Sequence, residues 1–406
     1  MLDPVITVVG IGADGWPGLG AAAQDALQDA DVIAGSTRQL ALLDDRVRAE
    51  RIPWPTPLLS ALPSIVAAQR GRRLAVLASG DPMLFGIGSN LAGLVGAQSL
   101  DVIPHASSVS LACARLGWPC EDVEVVSLVG RPTQSLHPAV QHGRRVVALV
   151  SEAGGAAAVC ALLVARGYGA SRVVLLEQLG GAAERIVPGS AAAWTEPAHD
   201  RLAIIAIECA ANPDTVALPR TPGLPDDAFE HDGQITRREI RAMALAALAP
   251  VPGQLLWDVG AGSGSIGIEW MRCHPASRAV AIEPRADRAA RIRRNADLLG
   301  VPGLEVVEGT APEALADLPA PDAIFVGGGV SVAGVLDACV RALSPGGRIV
   351  ANGVTIEAEG ALTYRHAQYG GTLTRIALEH VEPLGRFTTW RPALPVTQWA
   401  YRIGAP

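Results

Sequence analysis

The chain has 406 residues, 49% hydrophobic and 18% charged, which is enough apolar material for two cores and too little charge for disorder. Its formal net charge is −7, and all 33 basic residues are arginine, with no lysine anywhere. That balance argues against a general nucleic-acid binder, and the missing amine excludes both Schiff-base lysine chemistry and P-loop nucleotide hydrolysis.

Six cysteines, at 113, 120, 160, 209, 273 and 339, form no Cys-x-x-Cys pair, and the histidines are scattered. Neither a metal site nor a disulfide framework is expected. The start, Met1-Leu-Asp-Pro, has neither the basic nor the apolar part of a signal peptide. The long uncharged stretch between Asp81 and Asp101 is broken by Gly86, Gly88, Ser89, Asn90, Gly93 and Gly96, so it reads as loop, helix and turn. A soluble, cytoplasmic protein is expected.

In chain order, short apolar runs alternate with helical patterns, an α/β signature. Strands are predicted at 5–10, 31–34, 74–78, 100–103, 123–128, 145–150, 172–177 and 202–207. The rhythm then breaks over Asn212-Pro-Asp-Thr-Val-Ala-Leu-Pro-Arg-Thr-Pro-Gly-Leu-Pro-Asp-Asp. Four prolines there forbid a helix or a central strand. This predicts domains at 1–211 and 228–406 joined by a linker at 212–227. Strands resume at 255–259, 279–283, 305–308, 323–326 and 348–351, with an antiparallel pair, 372–378 and 396–401, closing the sheet.

The sharpest motif is Trp257-Asp-Val-Gly-Ala-Gly-Ser-Gly-Ser-Ile-Gly267, which follows a strand and opens a helix. Gly260, Gly262 and Gly264 allow a tight turn and close backbone approach to a ligand. The next strand ends at Glu283, where a carboxylate can take both ribose hydroxyls. A dinucleotide and a methyl donor fit equally up to this point. Asp258 before a Gly-x-Gly-x-Gly loop, the third strand ending Val307-Glu-Gly-Thr-Ala311, and the turn Leu343-Ser-Pro-Gly-Gly347 favour the donor. Together they resemble the class I Rossmann-like methyltransferase family.

Three further features narrow the resemblance. Where amino-directed methylases carry Asn/Asp-Pro-Pro-Tyr, this chain has Phe325-Val-Gly-Gly-Gly-Val330. The segment Asp226–Arg241 leads into a helix, with Thr236 and Glu239 read as a capping box. Pro395-Val-Thr-Gln-Trp399 closes the domain. These are similar to the decarboxylating precorrin-6B (formerly 6Y) methyltransferase domain of cobalamin biosynthesis. The resemblance implies S-adenosylmethionine contacts at Thr236, Gly260, Ala261, Gly262, Ser263, Gly264, Glu283 and Ala311.

In the first half, Gly10-Ile-Gly-Ala-Asp-Gly15 looks like a dinucleotide fingerprint, but the strand at 31–34 is followed by no ribose-binding acid. Four other motifs carry more: Val32–Leu40, Val76-Leu-Ala-Ser-Gly-Asp-Pro-Met-Leu-Phe-Gly86, Pro104-His-Ala-Ser-Ser-Val-Ser110 and Glu177–Arg185. They resemble the tetrapyrrole methylase family over about residues 4–210. That likeness implies a fold of two α/β subdomains and a donor held by Gly80, Asp81, Pro82, Met83, Phe85, Ser107 and Ser108. Asp81 alone reads equally as a turn-former. Relatives often carry Ser-x-His-Gly-Arg where this chain has Ser127-Leu-Val-Gly-Arg131, so that histidine has no role here.

The two resemblances together imply an S-adenosylmethionine-dependent C-methyltransferase with two donor sites, one per domain. It would methylate C5 and C15 of a precorrin and remove carbon dioxide from the ring C acetate. Neither half shows a nucleophile–base pair, which suits methyl transfer by in-line displacement. A substrate rich in carboxylates calls for arginine clamps. Arg237 and Arg238 are the first candidates, then Arg241, Arg386 and Arg391, while Arg285, Arg288 and Arg291 read as a solvated helix face. The expected partner is a small tetrapyrrole, without nucleic acid, membrane or metal, in a homo-oligomer. RNA methylation and non-catalytic donor binding are the rival readings. The acidic charge opposes the first and two intact donor motifs oppose the second.

Overall fold

Strands with few polar positions bury both faces, and that is how the first half of the chain is built. The structure, a computed structural model, describes residues 5–196 and 198–404. Its first sheet comprises β1 (Ile6–Ile11), β2 (Val32–Gly35), β3 (Glu50–Pro53), β4 (Leu74–Ser79) and β5 (Leu100–Ile103). All are parallel, in the order β3-β2-β4-β1-β5. Val9, Ile33 and Leu77 pack on one face, and Val8, Val32 and Val76 on the other. The second sheet comprises β6 (Val123–Ser127), β7 (Arg145–Val150), β8 (Arg172–Glu177), β9 (Arg185–Ser190) and β10 (Ala203–Glu208), ordered β6-β7-β10-β8-β9. Only its β6–β7 pair is parallel.

The second half carries β11 (Leu255–Val259), β12 (Arg278–Glu283), β13 (Glu305–Glu308), β14 (Ala323–Val326), β15 (Arg348–Gly353), β16 (Thr372–Ile376), β17 (Glu379–Leu384), β18 (Phe387–Pro392) and β19 (Val396–Arg402). Seven of these form one sheet, β13-β12-β11-β14-β15-β19-β16, in which β19 runs antiparallel to both its neighbours. Leu256, Ala281 and Phe325 face one core, and Trp257, Val280 and Ile324 the other. β17 and β18 make a separate hairpin. The expected α/β class, the two-subdomain first half and the Rossmann-like second half are all present. No helix among the described residues is long and apolar enough to cross a membrane.

Four strands escaped the sequence reading: β3, β9, β17 and β18. Their residues are mostly exposed, so they carry no buried apolar run. The capping box is also corrected. The helix Arg238–Leu248 begins after Arg237, which makes no side-chain cap, and Glu239 is exposed. The Thr236 carbonyl instead accepts a hydrogen bond from the Arg241 guanidinium.

The chain divides into two compact units, and the division is not a single cut. The first unit runs to Thr133 and resumes from His142 to Thr215, while the second takes Gln134–Gln141 and everything from Val216. Leu136 and His137 of the inserted turn are buried, and Pro138 lies against Gly300. Much of the expected linker belongs to the second unit. Leu224 is wholly enclosed, and the backbone N–H groups of Gly223 and Leu224 donate to the Glu269 carboxylate at 2.6 and 3.0 Å. Arg272 donates to the Leu218 carbonyl at 2.7 Å. A proline-rich segment cannot pair its backbone with itself, so buried charged side chains serve it instead.

In the full chain, Leu224→Ala should cost about 2–5 kcal/mol in the stability of the second unit. Val216→Ala, at a position 64% exposed, should stay within about 0.5 kcal/mol. Denaturant unfolding followed by tryptophan fluorescence measures both, and a neutral Leu224→Ala would make the segment a free linker.

Candidate active sites

In a parallel sheet the connections at the carboxyl ends of the strands diverge on either side of a central strand and leave a crevice. In the first unit that crevice is a cavity of about 370 Å³. Its floor comes from the turns after β1 (Gly12, Ala13), β2 (Ser36, Arg38, Gln39) and β4 (Ser79, Gly80), and the second sheet adds Ser127, Leu176, Ala203 and Ile204. Of the expected donor residues, Gly80, Phe85 and Ser108 line it. Asp81 does not, because its Oδ1 accepts the Met83 N–H at 2.8 Å and forms a turn. Pro82 serves the same turn, its carbonyl accepting the Gly88 N–H, and Met83 points outward, 48% exposed. Ser107 caps the helix Ser108–Leu116 by accepting the Ser110 N–H at 3.0 Å.

Sequence reasoning missed Gly12 and Ala13. The absent ribose acid led away from that turn, whose position at the carboxyl end of β1, next to the central strand β4, was the available signal. Asp14 ties it to the turn after β5, its carboxylate 3.2 Å from His105 Nε2.

The second unit has a cavity of about 680 Å³ in the equivalent place. Gly260, Ala261 and Gly262 line it, as do Thr236, Arg237 and the Gly327–Gly329 floor. Gly260 is obligatory for packing, since a Cβ there would lie 2.6 Å from Gly328 Cα. Gly264 lies beneath the loop, where a Cβ would meet Ile292 at 2.7 Å. Ser263 is buried too, its carbonyl accepting from Asn295 Nδ2 at 2.9 Å. Glu283, 3% exposed, ends β12 under the loop and accepts the N–H of Gly262 at 2.9 Å and of Arg285 at 3.2 Å. Ala311 packs against the apolar core and does not line the cavity.

Several arginine expectations are corrected. Arg238 is exposed and off the cavity. Arg241 is fully buried. It pairs with Glu269 at 2.6 Å and Asp226 at 3.0 Å, donates to the Thr236 and Leu224 carbonyls, and lies 4.9 Å from the Phe229 ring centre. It is a structural ion and not a substrate clamp. Arg386 stacks over Phe387 and Arg391 pairs with Glu382 at 2.8 Å, both on the hairpin. Arg288 and Arg291 are not a solvated face. Both reach Asp232, at 2.9 and 3.2 Å, and hold its carboxyl well below the usual range, and Arg288 lines the cavity. Arg285, by contrast, is exposed and pairs with its neighbour Asp287.

Two polar groups at this cavity complete the site. Asn352, at the end of β15, accepts from Gln398 Nε2 at 3.0 Å, while its own Nδ2 is buried without a partner. No motif marks it in the sequence. Asp258 is 1% exposed, and burial raises its pKa to about 7, against the Gly267 N–H that it accepts at 3.0 Å.

Comparison with known proteins identifies the family. Residues 5–194 match the tetrapyrrole (corrin/porphyrin) methylases, and residues 227–403 match the precorrin methyltransferase domain. A Sinorhizobium precorrin-6Y C(5,15)-methyltransferase (decarboxylating) is 48% identical over 404 residues, covering 100% of this chain and 98% of the relative. The chain belongs to the precorrin-6Y C(5,15)-methyltransferase (decarboxylating) family. A Mycobacterium tuberculosis member is 49% identical over 98% of this chain and 99% of its own. The crystal structure of the C-terminal domain of the Rhodobacter capsulatus member is 50% identical, covering 46% of this chain and 100% of that one, with a TM-score of 0.44. The protein is therefore a C-methyltransferase, an enzyme of a family that uses S-adenosylmethionine, as both halves of the sequence implied.

Two outcomes follow from the buried charges. Arg241→Ala leaves Glu269 buried and unpaired, so it should destabilise the second unit by about 3–5 kcal/mol in a denaturant titration. Asp258 keeps its proton longer in the folded state, with a pKa of about 7, than in the unfolded chain at 3.8. Between those values the folded state binds more protons, so stability falls as pH rises through that window and levels off above it. Asp258→Asn should flatten the thermal midpoint between pH 5 and 8 and raise it at pH 8. An unchanged slope would show that Asp258 is ionised when folded.

Proposed function

We propose that this chain acts on precorrin-6Y in cobalamin biosynthesis, methylating C5 and C15 and removing carbon dioxide from the ring C acetate, with one S-adenosylmethionine site in each unit. The supporting observation is that two cavities, each at the carboxyl ends of a parallel sheet, sit beside two independent donor motifs in a chain alike over its whole length to enzymes of that name.

The residues fit the donor. A carboxylate offers about four acceptor positions. Glu283 lies beneath the loop and does not itself line the cavity; it gives two to the Gly262 and Arg285 amides, and the other two are those that ribose hydroxyls would take. Space above Gly262 is open except toward the Gln234 carbonyl, 3.4 Å from where a Cβ would stand. In the first unit Gly80, Phe85 and Ser108, with Gly12 and Ala13, take the same part.

When bound, S-adenosylmethionine supplies a methyl on sulfonium: a ring carbon's electron pair forms the new C–C bond as the S–CH₃ pair returns to sulfur. The protein orients and excludes water, which is most of what such a displacement needs. Gly327–Gly329 form a floor without side chains, against which a flat macrocycle can approach the loop at 260–262. Arg237, 3.4 Å from Asp226 and largely exposed, reaches into the cavity and orients the acetate, with the free Asn352 Nδ2 as a second donor. As the acetate's C–CO₂ bond breaks, its electron pair enters the conjugated ring and the carbon takes a proton. We assign this decarboxylation to the second unit, together with one of the two methyl transfers.

Mass spectrometry of precorrin-6Y incubated with donor and full-length protein should record two methyls gained and carbon dioxide lost. Calorimetry with S-adenosylhomocysteine should find two sites per chain. Glu283→Ala should weaken one of them roughly ten- to a hundredfold, the loss of a charged hydrogen bond of about 1.5–3 kcal/mol. One site in total, indifferent to Glu283→Ala, would overturn the two-site reading. Arg237→Gln should accumulate a product that keeps its carboxylate, and normal decarboxylation would remove Arg237 from that role.

A further inference from the structure

Several guanidinium groups of the first unit are matched by a carboxylate. Arg73 pairs with Asp31 at 2.9 Å, Arg115 with Glu184 at 2.6 Å and Arg172 with Glu208 at 3.1 Å. Arg38 is different. It follows β2, at the start of the helix Thr37–Ala41, lines the 370 Å³ cavity and makes no ion pair among the described residues. Its one hydrogen bond among the described residues runs from Nη2 to Ser79 Oγ at 2.9 Å.

The surroundings hold that side chain ready. Gln39, 5% exposed, donates through Nε2 to the same Ser79 oxygen at 3.1 Å. Its Oε1 accepts the N–H and hydroxyl of Ser36 at 2.8 and 2.9 Å, which closes a capping box around the short helix. Ser79 is the residue before the Gly80-Asp81-Pro82 turn. The rest of the cavity wall is largely apolar, with Leu77, Phe85, Ile87, Leu176 and Ile204. Burial weakens the hold of Arg38 on its proton, against the more distant charge of Asp200, whose own carboxylate accepts the Leu202 N–H at 2.6 Å. A half-buried guanidinium with one of five donors engaged leaves a fork shaped for a planar anion.

We propose that Arg38 is the carboxylate-binding residue of the first unit's cavity, taking a carboxylate bidentately and thereby setting the position of the bound molecule for methyl transfer. This rests on the reading of that cavity as a methyltransferase site. Two molecules would bring a carboxylate there: the tetrapyrrole through its acid side chains, and the donor through its methionyl end. The chemistry of recognition is the same for both. Arg201, exposed on the rim of the same cavity and also without an ion pair among the described residues, gives the mouth a second positive charge.

The test uses full-length Arg38→Gln and Arg38→Lys in a Glu283→Ala background, so that the first unit's donor site dominates. S-adenosylhomocysteine and 5′-methylthioadenosine, which lacks the amino-acid end, are titrated by calorimetry. Methylation of the tetrapyrrole is followed by mass, with Glu283 intact. If the carboxylate is the tetrapyrrole's, Arg38→Gln raises KM at least tenfold with little change in kcat. A product one methyl short then accumulates, and S-adenosylhomocysteine affinity holds. If it is the donor's, S-adenosylhomocysteine weakens at least tenfold while 5′-methylthioadenosine does not. Arg38→Lys keeps the charge without the fork and should fall between, and it carries the comparison alone should the glutamine variant melt early. Unchanged affinities and KM at an unchanged thermal midpoint would overturn the proposal and leave Arg38 as a brace for Ser79. Two-site stoichiometry would survive that result, whereas a first unit that binds neither nucleoside would instead sink the methyltransferase reading of its cavity.

Discussion

The second unit depends on one enclosed ion pair, Arg241 with Glu269. Glu269 holds the N–H groups of Gly223 and Leu224, and Arg241 holds the carbonyls of Leu224 and Thr236 and the carboxylate of Asp226. A charge pair in so dry a place is costly unless every donor and acceptor is met, and here nearly all are. The consequence is spatial. The proline-rich segment cannot adhere to the domain by secondary structure, so this pair lays it across the helix Ser265–Cys273. The same chain stretch thereby delivers Gln234, Thr236 and Arg237 to the cavity. Arginine suits the task because its five donors can serve a carboxylate and several carbonyls together, which a lysine amine cannot.

The two units place their cavities by one rule and furnish them differently. Each opens at the carboxyl ends of parallel strands beside the central strand, where connections part to either side. In the second unit a buried acid, Glu283, stands under the glycine loop, and Asp258 beneath it is kept from ionising easily by its burial. Among the described residues the first unit's cavity is lined by no such acid and has a cation without an ion pair, Arg38, among apolar side chains. The two cavities therefore differ in the charged groups that line them: Arg38 and Arg201 in the first, Arg237, Arg288 and Asp258 in the second.

The glycines show how a motif mixes roles. Gly260 and Gly264 are required because neighbouring atoms occupy the space of a side chain, whereas Gly262 alone of the three faces open room. The acid turn of the first unit divides likewise: Gly80 lines the cavity, and Asp81 closes the turn that presents it. A motif can thus identify a site while most of its residues serve the backbone geometry and not the ligand.

The sequence by itself determined the α/β class, the strands that carry buried apolar runs, and the motifs by which each half resembles a methyltransferase family, because a pleated strand and a glycine turn leave their periodicity and composition in neighbouring residues. It determined little about strands at exposed edges, whose residues need not be apolar. Only the tertiary structure decided which arginines are available. Arg241 and Arg238 are near neighbours on one helix, yet one is a buried structural ion and the other lies on the surface away from the cavity. Arg38, which sequence reasoning passed over, faces the first cavity unmatched. It also decided that residues 134–141 and 216–227 belong to the second unit. Each of these outcomes rests on which side chain meets which backbone group from distant parts of the chain. Charge partnership and burial are long-range properties, and no local spacing encodes them.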